Sequence, residues 1–247
     1  MPIVRRYELD SVETLVSKLR AGTSPGLGDE IIEVMTTNES LFFRDTKPFE
    51  QMRSASLPYF QNARASKRKL RIWSAAASTG QEPYSIAMVF GEEKEKFQGW
   101  NIEIFGTDLS REALARAKEG IYTQFEVQRG MSIQMLLKYF GKVDAKWQVN
   151  KEIRDMVKFA EFNLLEDPKK FGTFDIIFCR NVLIYFDKDT KTKVLNRLAK
   201  VLAPDGVLFL GAAETILGLE TELQPIPGMR GAYGMPEAMK VEGVAVS

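Results

Sequence analysis

Two carboxylates, an arginine-asparagine pair and a tyrosine are the side chains of this sequence best placed to do chemistry. Glu82 opens a predicted helix after one apolar strand, and Asp108 ends the next strand. Arg180 and Asn181 follow a later apolar strand, and Tyr185 lies shortly beyond them. Ligands bind to open α/β sheets outside the carboxyl ends of the strands, so these side chains predict one shared ligand site.

Each carboxylate has a chemical and a purely structural interpretation. Glu82 is placed to meet a ligand amine, or it only interacts favourably with the dipole of its own helix. Asp108 stands where nucleotide-binding folds place the acid that binds the ribose hydroxyls. Alternatively, Asp108 is a turn residue before Ser110, which is suited to cap the next helix.

The turn between the first strand and its helix is built from small residues. They run from Ser74 through Ala75 to Gly80, and Pro83 follows in the first turn of the helix. This turn has neither the G-x-G-x-x-G pattern nor the Gly-Lys-Ser/Thr that grips phosphates. It therefore favours a nucleotide-like ligand without phosphates; the alternative is a tight crossing of helix over strand.

The polar pair after the later strand interrupts an apolar run from Phe174 to Phe186. Buried polar groups are costly unless they are paired, so Arg180 and Asn181 are candidate ligand contacts. Tyr185 points its hydroxyl into the same cleft or is an ordinary half-buried tyrosine. Cys179, within the strand itself, is interpreted as a plain buried thiol.

The composition excludes several kinds of chemistry. The 247 residues include no histidine and one cysteine, which removes Ser-His-Asp and Cys-His catalysis and histidine-ligated metals. We expect no metal site. Lys plus Arg total 34 and Asp plus Glu total 33, and this balance of +1 argues against a nucleic-acid partner. A single cysteine forms no intramolecular disulfide, so no oxidising compartment is required.

Strands and helices alternate along most of the chain, which predicts an α/β fold with a mostly parallel sheet and helices on both faces. A Pro-Gly break near the end predicts a closing antiparallel hairpin over 223–235. The predicted strands are Leu70–Ala75, Asn101–Gly106, Val157–Phe162, Phe174–Cys179 and Val207–Leu210. The predicted helices of this part are Pro83–Glu95, Ser110–Lys118, Met131–Phe140 and Asp187–Leu202, the last ending at the turn Pro204-Asp205-Gly206.

Two regions are expected. Residues 1–62 form a short helical N-terminal region, with one helix capped by Ser11 and others over about 29–37 and 46–60. Residues 63–247 form the α/β domain, in which 141–158 is expected to be a small antiparallel insertion because Trp147, Val149 and Ile153 alternate with polar residues.

Three further segments carry predictions of their own. The basic segment 61–71 is a solvated linker or, alternatively, a patch for an acidic partner. Residues 36–45, with two Phe among polar groups, form a lid or site wall. No apolar run has the length of a membrane span or of a secretion signal, so we expect no membrane insertion and a cytoplasmic location.

Taken together, these segments resemble the CheR family of chemotaxis receptor methyltransferases. The resemblance covers about residues 10–235, in order and at fitting spacing. It is carried by TTNESLFFRD (36–45), IWSAAASTGQEPYSIA (72–87), IFGTDLSREALARAKEGIY (104–122), FNLL (162–165), FDIIFCRNVLIYFD (174–187) and LAPDGVLFLGAAE (202–214).

The resemblance implies a Rossmann-like S-adenosylmethionine methyltransferase sheet and a protein-glutamate O-methyltransferase that leaves S-adenosylhomocysteine as product. By matching position it implies Arg44 and Tyr185 as catalytic residues, with Ser40 standing where the family has Thr and Gln81 where many members have Glu. The cofactor-binding residues are then Asn38, Ser40, Arg44, Ala75, Glu82, Asp108, Asn163, Leu164, Arg180 and Asn181.

The resemblance also implies partners, namely the cytoplasmic helices of methyl-accepting chemotaxis receptors. The N-terminal region is shorter than the family's usual docking domain. The loop of the insertion, VDAKW, is short and lacks Gly, which indicates the type that does not need a pentapeptide at the receptor C-terminus. We further expect a monomer. The competing hypotheses are a non-catalytic module that binds the cofactor or its product, and a methyltransferase for a small molecule or RNA.

Overall fold

The computed structural model describes residues 2–22, 24, 26–36 and 38–238. Thr37 of the predicted site wall, the first residue of the predicted N-terminal region and residues 239–247 of the predicted α/β domain lie outside the described residues. The helices are α1 (Pro2–Arg6), α2 (Val12–Ala21), α3 (Leu27–Met35), α4 (Lys47–Gln51), α5 (Leu57–Ala63), α6 (Gln81–Glu92), α7 (Arg111–Glu119), α8 (Gln124–Gln128), α9 (Ile133–Tyr139), α10 (Lys151–Asp155) and α11 (Lys188–Val201).

The strands form two sheets, a large one of seven strands and a small one of three. They are β1 (Lys69–Ser74), β2 (Asn101–Asp108), β3 (Ile121–Tyr122), β4 (Phe140–Val143), β5 (Lys146–Val149), β6 (Val157–Glu161), β7 (Phe174–Cys179), β8 (Leu202–Leu210), β9 (Gln224–Pro225) and β10 (Ala232–Gly234).

The large sheet has the order β6-β2-β1-β7-β8-β10-β9. Its first five strands are parallel, and β10 runs antiparallel to both of its neighbours, which confirms the closing hairpin. The chain moves from β1 outward through β2 to β6 and then returns to the other side of β1 with β7. This reversal of direction opens a crevice at the carboxyl ends of β1 and β7, where ligands of doubly wound sheets bind.

Helices cover both faces of this sheet, as predicted. Side chains alternate along β7: Ile176 and Phe178 pack into one core, whereas Ile177 and Cys179 pack into the other. The first core includes side chains of α5, α6, α9 and α10, and the second is closed by α11. The sheet is therefore buried on both sides, and its ends carry the polar groups.

The N-terminal residues divide between two cores. Ile3, Leu15 and Leu27 form a small core among the first helices. The predicted helix over 46–60 is observed as α4, a π-helical turn at Met52–Ser56 and α5, and its apolar side chains pack in the core of the large sheet. Ser11 caps α2 by accepting a hydrogen bond from the Thr14 N–H, as its type predicted.

The predicted antiparallel insertion is only partly correct. Strands β4 and β5 form a hairpin, and β3 pairs with β5 to complete the small sheet. Residues beyond Asn150, however, form α10 and the start of β6 rather than further antiparallel strands. Ile153 is the buried residue of α10, so its burial comes from one face of a helix rather than from the strand alternation assumed for it.

The basic segment 61–71 is a solvated linker only in its middle, where residues 65–68 are exposed between α5 and β1. Arg64 donates Nε to Asp175 at 2.8 Å and Nη2 to Asp205 at 2.5 Å, and these partners raise its pKa above the ordinary value. Arg71 donates its backbone N–H to Asp175 and its Nε to Glu103. Asp205 lies within β8 rather than in a free turn, and the segment is anchored to the amino ends of the strands.

Candidate functional site

A cavity of about 460 Å³ opens at the carboxyl ends of β1, β2 and β7. Its position is the one that the strand order predicts. Its wall includes every site residue that the sequence nominated: Asn38, Ser40, Arg44, Ala75, Glu82, Asp108, Asn163, Leu164, Arg180, Asn181 and Tyr185. The structure therefore brings these residues together, although they come from widely separated parts of the chain.

The turn after β1 forms the floor of this cavity. The Ala75 N–H donates to the Phe178 carbonyl at 2.8 Å, which ties the turn to β7. Gly80 has φ 96°, and a Cβ there would lie 3.0 Å from both the Ala117 Cβ and the Tyr122 hydroxyl. The turn is thus closely packed at Gly80 and also lines the cavity through Ala75 and Ser78, so close packing does not exclude the ligand site predicted there.

Glu82 and Arg180 form a buried ion pair across this floor. The Arg180 Nη1 donates to the Glu82 Oε2 at 2.8 Å, and the Ser74 hydroxyl donates to the other oxygen at 2.8 Å. The Arg180 Nη2 donates to the carbonyl of Arg44 and to the carboxylate of Asp45, each at 2.7 Å. Arg180 therefore joins the end of β7 to the start of α6 and to the wall segment.

Two buried polar atoms at the cavity have no hydrogen-bond partner within the described part of the chain. They are the Arg180 Nε and the Ser78 hydroxyl. The Arg180 side chain is only 1% exposed. Both atoms have almost no exposed surface, so they mark a polar network at this wall that the described side chains do not fully satisfy.

Asp108 is held at the end of β2 by backbone donors. Its Oδ2 accepts from the Ser78 N–H at 2.7 Å, and its Oδ1 accepts from the Ser110 N–H at 3.0 Å. Burial raises the pKa of the Asp108 carboxyl above its ordinary value, because removal from water disfavours the charged form. Ser110 caps α7, so Asp108 is both a turn residue and a carboxylate on the cavity wall.

The segment after α3 forms one side of the cavity, as predicted for a site wall. Phe42 anchors it, with its ring packed edge-on against Tyr122 at 4.9 Å and Phe140 at 5.4 Å between ring centres. Phe43 and Asp45 both have positive φ, a conformation rare for residues with a Cβ. The anchored backbone presents Arg44, whose Nη1 donates to the Glu39 carbonyl at 3.1 Å.

Three further residues of the cavity wall have fewer hydrogen bonds to the rest of the protein: Tyr185, Asn163 and Asn38. Tyr185 ends a 3₁₀ turn that begins at Leu183 and is 61% exposed, so it is not the half-buried residue that one interpretation expected. The Asn163 Oδ1 accepts from the Leu165 N–H at 2.9 Å, and the Asn38 amide is 3.4 Å from the Ser110 hydroxyl. Each keeps polar atoms at the wall.

Sequence reasoning missed Glu214. This carboxylate is buried and accepts hydrogen bonds from the backbone of residues 181–183, directly behind the predicted polar pair. The available signal was its place shortly after the last residue of β8, at the same edge of the sheet as the other site residues.

The chemistry of the wall is specific. Within the described ranges, no cluster of acidic or cysteine side chains could hold a metal ion. The cavity lining combines three acidic side chains and two arginines with hydroxyls, amides and apolar side chains. The carboxylates of this wall suit an amine and ribose hydroxyls.

Comparison with known proteins gives a consistent result. The model of the CheR methyltransferase SAM-binding domain matches residues 38–232. The chain is 41% identical over 228 residues to "Chemotaxis protein methyltransferase Cher2" of Pseudomonas putida, a match that spans 91% of this chain and 82% of the relative. With the same coverage, it is 39% identical to the chemotaxis protein methyltransferase of Vibrio parahaemolyticus and 40% identical to chemotaxis protein methyltransferase 1 of Vibrio cholerae.

Proposed function

The chain belongs to the CheR methyltransferase family, and from that premise we propose that it methylates glutamate side chains of chemotaxis receptors. The methyl donor of this family is S-adenosylmethionine, and the conversion leaves S-adenosylhomocysteine. The observation that carries the proposal is the single cavity whose wall unites Glu82, Asp108, Arg180 and Arg44.

The residues at the cavity fit this cofactor. S-adenosylmethionine supplies an electrophilic methyl group on a positively charged sulfur. Glu82 offers a carboxylate to an amine, and Asp108 offers one to ribose hydroxyls. The Arg180 guanidinium, held by Glu82 and Asp45, keeps a positive charge beside the cavity that favours an anionic group such as a carboxylate. Asn38, Ser40, Asn163, Leu164 and Asn181 complete the proposed binding wall, and Ala75 leaves room for close approach.

The proposed acceptor explains why the chain manages without histidine. A glutamate side chain has an ordinary pKa of about 4.3, so at neutral pH it is already a carboxylate and already a nucleophile. No general base is needed to prepare it. The protein then contributes alignment of the carboxylate and exclusion of water, which together lower the barrier by several kcal/mol.

Arg44 is the proposed guide for the acceptor carboxylate. Its fork of donors suits a carboxylate, and one of them already rests on the Glu39 carbonyl. That contact fixes the side chain at the wall and leaves the rest of the fork for the acceptor. Tyr185, exposed at the cavity, is the second proposed catalytic residue, because its hydroxyl can donate to an acceptor oxygen.

The alternative of a binding module without turnover is not favoured. The relatives at about 40% identity are all named methyltransferases, and Arg44 and Tyr185 stand on the cavity wall. The two functions separate when the protein is incubated with cofactor and receptor-containing membranes. Receptor-dependent formation of S-adenosylhomocysteine supports the enzyme, whereas binding of the cofactor without any product supports the module.

Receptor docking is proposed to be independent of a C-terminal receptor pentapeptide. The turn between β4 and β5 consists of Asp144 and Ala145 alone. The Trp147 indole beside it is already engaged, because its N–H donates to the Gln124 side chain at 2.6 Å. Calorimetry with the receptor's C-terminal pentapeptide is expected to give no heat of binding, and tight binding would contradict this proposal.

Some expectations stay predictions. No helix in the described ranges is both long and apolar enough to cross a membrane. The cytoplasmic location and the monomeric state are predictions, and sedimentation of the purified protein tests the second.

A further inference from the structure

Glu214 is buried, and among the described residues its carboxylate accepts hydrogen bonds from backbone N–H groups only. Its Oε2 accepts from the N–H groups of Asn181 at 2.8 Å and Gly211 at 2.7 Å. Its Oε1 accepts from the N–H groups of Val182 at 3.0 Å and Leu183 at 2.8 Å. A carboxylate side chain can accept all of these bonds, since it has two oxygens that each accept more than one hydrogen bond.

The bonds to Glu214 fix an uncommon backbone conformation. Asn181 has φ 57°, in the left-handed region that residues with a Cβ seldom occupy. With this conformation, the successive N–H groups of residues 181–183 converge on one carboxylate. The same segment leads into the 3₁₀ turn that ends at Tyr185. The conformation that the carboxylate holds therefore sets where Asn181 and Tyr185 stand.

The end of β8 is shaped for the same contact. A Cβ on Gly211 would lie 2.7 Å from the Glu214 Oε2 and 2.9 Å from the Asn181 N. Contacts under 3.0 Å are too close for a real Cβ atom, so the carboxylate or the Asn181 backbone would have to move. Gly211 thus leaves the room that the carboxylate occupies.

We propose that Glu214 is a positioning residue of the methyltransferase site. Its carboxylate clamps residues 181–183 in the conformation that presents Asn181 and Tyr185 to the cavity. The consequence for turnover rests on the proposed function. The consequence for binding of S-adenosylhomocysteine does not depend on which acceptor is methylated, so the two can fail separately.

The test is the variant Glu214→Gln. Its amide keeps the shape of the side chain, but its NH₂ group faces backbone N–H donors that have no other acceptor in the described part of the chain. We expect S-adenosylhomocysteine to bind at least about tenfold more weakly in calorimetry, with the number of sites per chain unchanged. A merely structural defect would reduce the number of sites and leave the Kd of the folded fraction unchanged. In the methylation assay, KM for the methyl donor should rise and kcat should fall.

Two further measurements complete the experiment. Amide hydrogen exchange should show that residues 181–183 are protected in the wild type and exposed in Glu214→Gln. The matched control is Asp175→Asn, because Asp175 also accepts a backbone N–H but lies at the other end of β7. The control should lose thermal stability and keep its affinity for S-adenosylhomocysteine.

The proposal is overturned if Glu214→Gln binds S-adenosylhomocysteine as the wild type does, or if Asp175→Asn loses as much affinity. If Glu214→Gln does not fold, Gly211→Ala answers the same question. The added Cβ crowds the contact between Glu214 and Asn181, while the Glu214 side chain itself is retained. Weakened affinity with full site occupancy supports the clamp, and wild-type affinity overturns it. A wild type that binds S-adenosylhomocysteine but methylates no receptor would refute the proposed function and leave this comparison intact.

Discussion

Arg180 and Glu82 meet as a buried ion pair although 98 positions separate them in the chain. Their contact joins the carboxyl end of β7 to the first turn of α6. The same guanidinium also holds Asp45 and the carbonyl of Arg44, so the wall segment is fixed through it. One arginine at the end of β7 therefore contacts both α6 and the wall segment, and the shape of the cavity depends on it.

Replacement of Arg180 by Lys should weaken the site even though the charge is kept. A lysine ammonium is a compact charge and does not reproduce the fork that reaches three acceptors. We expect the affinity for S-adenosylhomocysteine to fall at least about tenfold in calorimetry, and the melting temperature to fall, because breaking a buried pair costs about 3–5 kcal/mol.

The control for this variant is Arg64→Lys. Arg64 is also paired with two carboxylates, Asp175 and Asp205, but at the opposite edge of the sheet. It should lose stability and retain the affinity of the wild type. Equal affinity losses in both variants would show that the Arg180 effect is not local to the cavity.

Affinity for the cofactor product should depend on pH through Asp108. Burial raises the pKa of this carboxyl above its ordinary value of 3.8. Its ionised form accepts hydrogen bonds from ribose hydroxyls, so affinity should decline as the pH falls through the raised pKa. Calorimetry across acidic pH checks this, and the decline should be absent in Asp108→Asn, whose affinity is low throughout.

The same shift has a consequence for stability, with a definite sign. The folded state holds the Asp108 proton more tightly than the unfolded chain does. The contribution of this group to the free energy of unfolding is therefore full below the unfolded pKa, and it is lost as the pH rises through the folded pKa. For the binding prediction above, a wild-type affinity for S-adenosylhomocysteine that does not change with pH would contradict the proposed role of Asp108.

Removal of the Arg44 side chain should slow methyl transfer more than it weakens binding. If Arg44 orients the acceptor carboxylate, Arg44→Ala should lower kcat roughly 100-fold, since misplacement by about 1 Å costs that much. Single-turnover kinetics with receptor membranes measure the step directly. Full activity together with unchanged cofactor affinity would remove Arg44 from the catalytic residues.

Glu33 should dock α3 onto the α/β domain. Its carboxylate accepts the backbone N–H groups of Arg111 at 2.7 Å and Glu112 at 3.3 Å, at the start of α7. It therefore caps a helix from another part of the chain. Glu33→Ala should reduce the free energy of unfolding by about 0.5–2 kcal/mol in urea titrations, as the loss of a cap does.

The natural comparison for Glu33 is Asp29, on the same helix. Asp29 forms an exposed ion pair with Arg111 at 2.9 Å, and such pairs contribute about 0–1 kcal/mol. Asp29→Ala should therefore change stability little. If the two variants are equally stable, the capping role of Glu33 is wrong.

The general location of the site could be predicted from sequence because two rules act together. Parallel strands end at one edge of a sheet, and polar residues such as Asp108 and Arg180 that follow apolar strands must find partners there. Those rules specify an edge, and a resemblance to a family then supplied Asn38, Ser40 and Asn163.

The partners of individual side chains could not be predicted in this way. That Glu82 pairs with Arg180 while it also lines the cavity depends on packing between β7 and α6, which no local pattern encodes. The clamp at Glu214 escaped notice because its donors are backbone groups, and backbone groups have no sequence signature. Arg64 was assigned to a linker for a similar reason, since Asp175 and Asp205 lie far from it in the chain.

The most direct test of the central proposal is transfer of a radiolabelled methyl group to receptor-containing membranes. If the acceptor is a glutamate carboxylate, label should appear on the receptor and be released as methanol by mild alkali, because a methyl ester hydrolyses there. Substitution of the acceptor glutamates by alanine should abolish it, and Arg44→Ala enzyme should transfer label far more slowly. Absence of receptor label, or label that resists alkali, would contradict the assignment of this chain as a protein-glutamate methyltransferase.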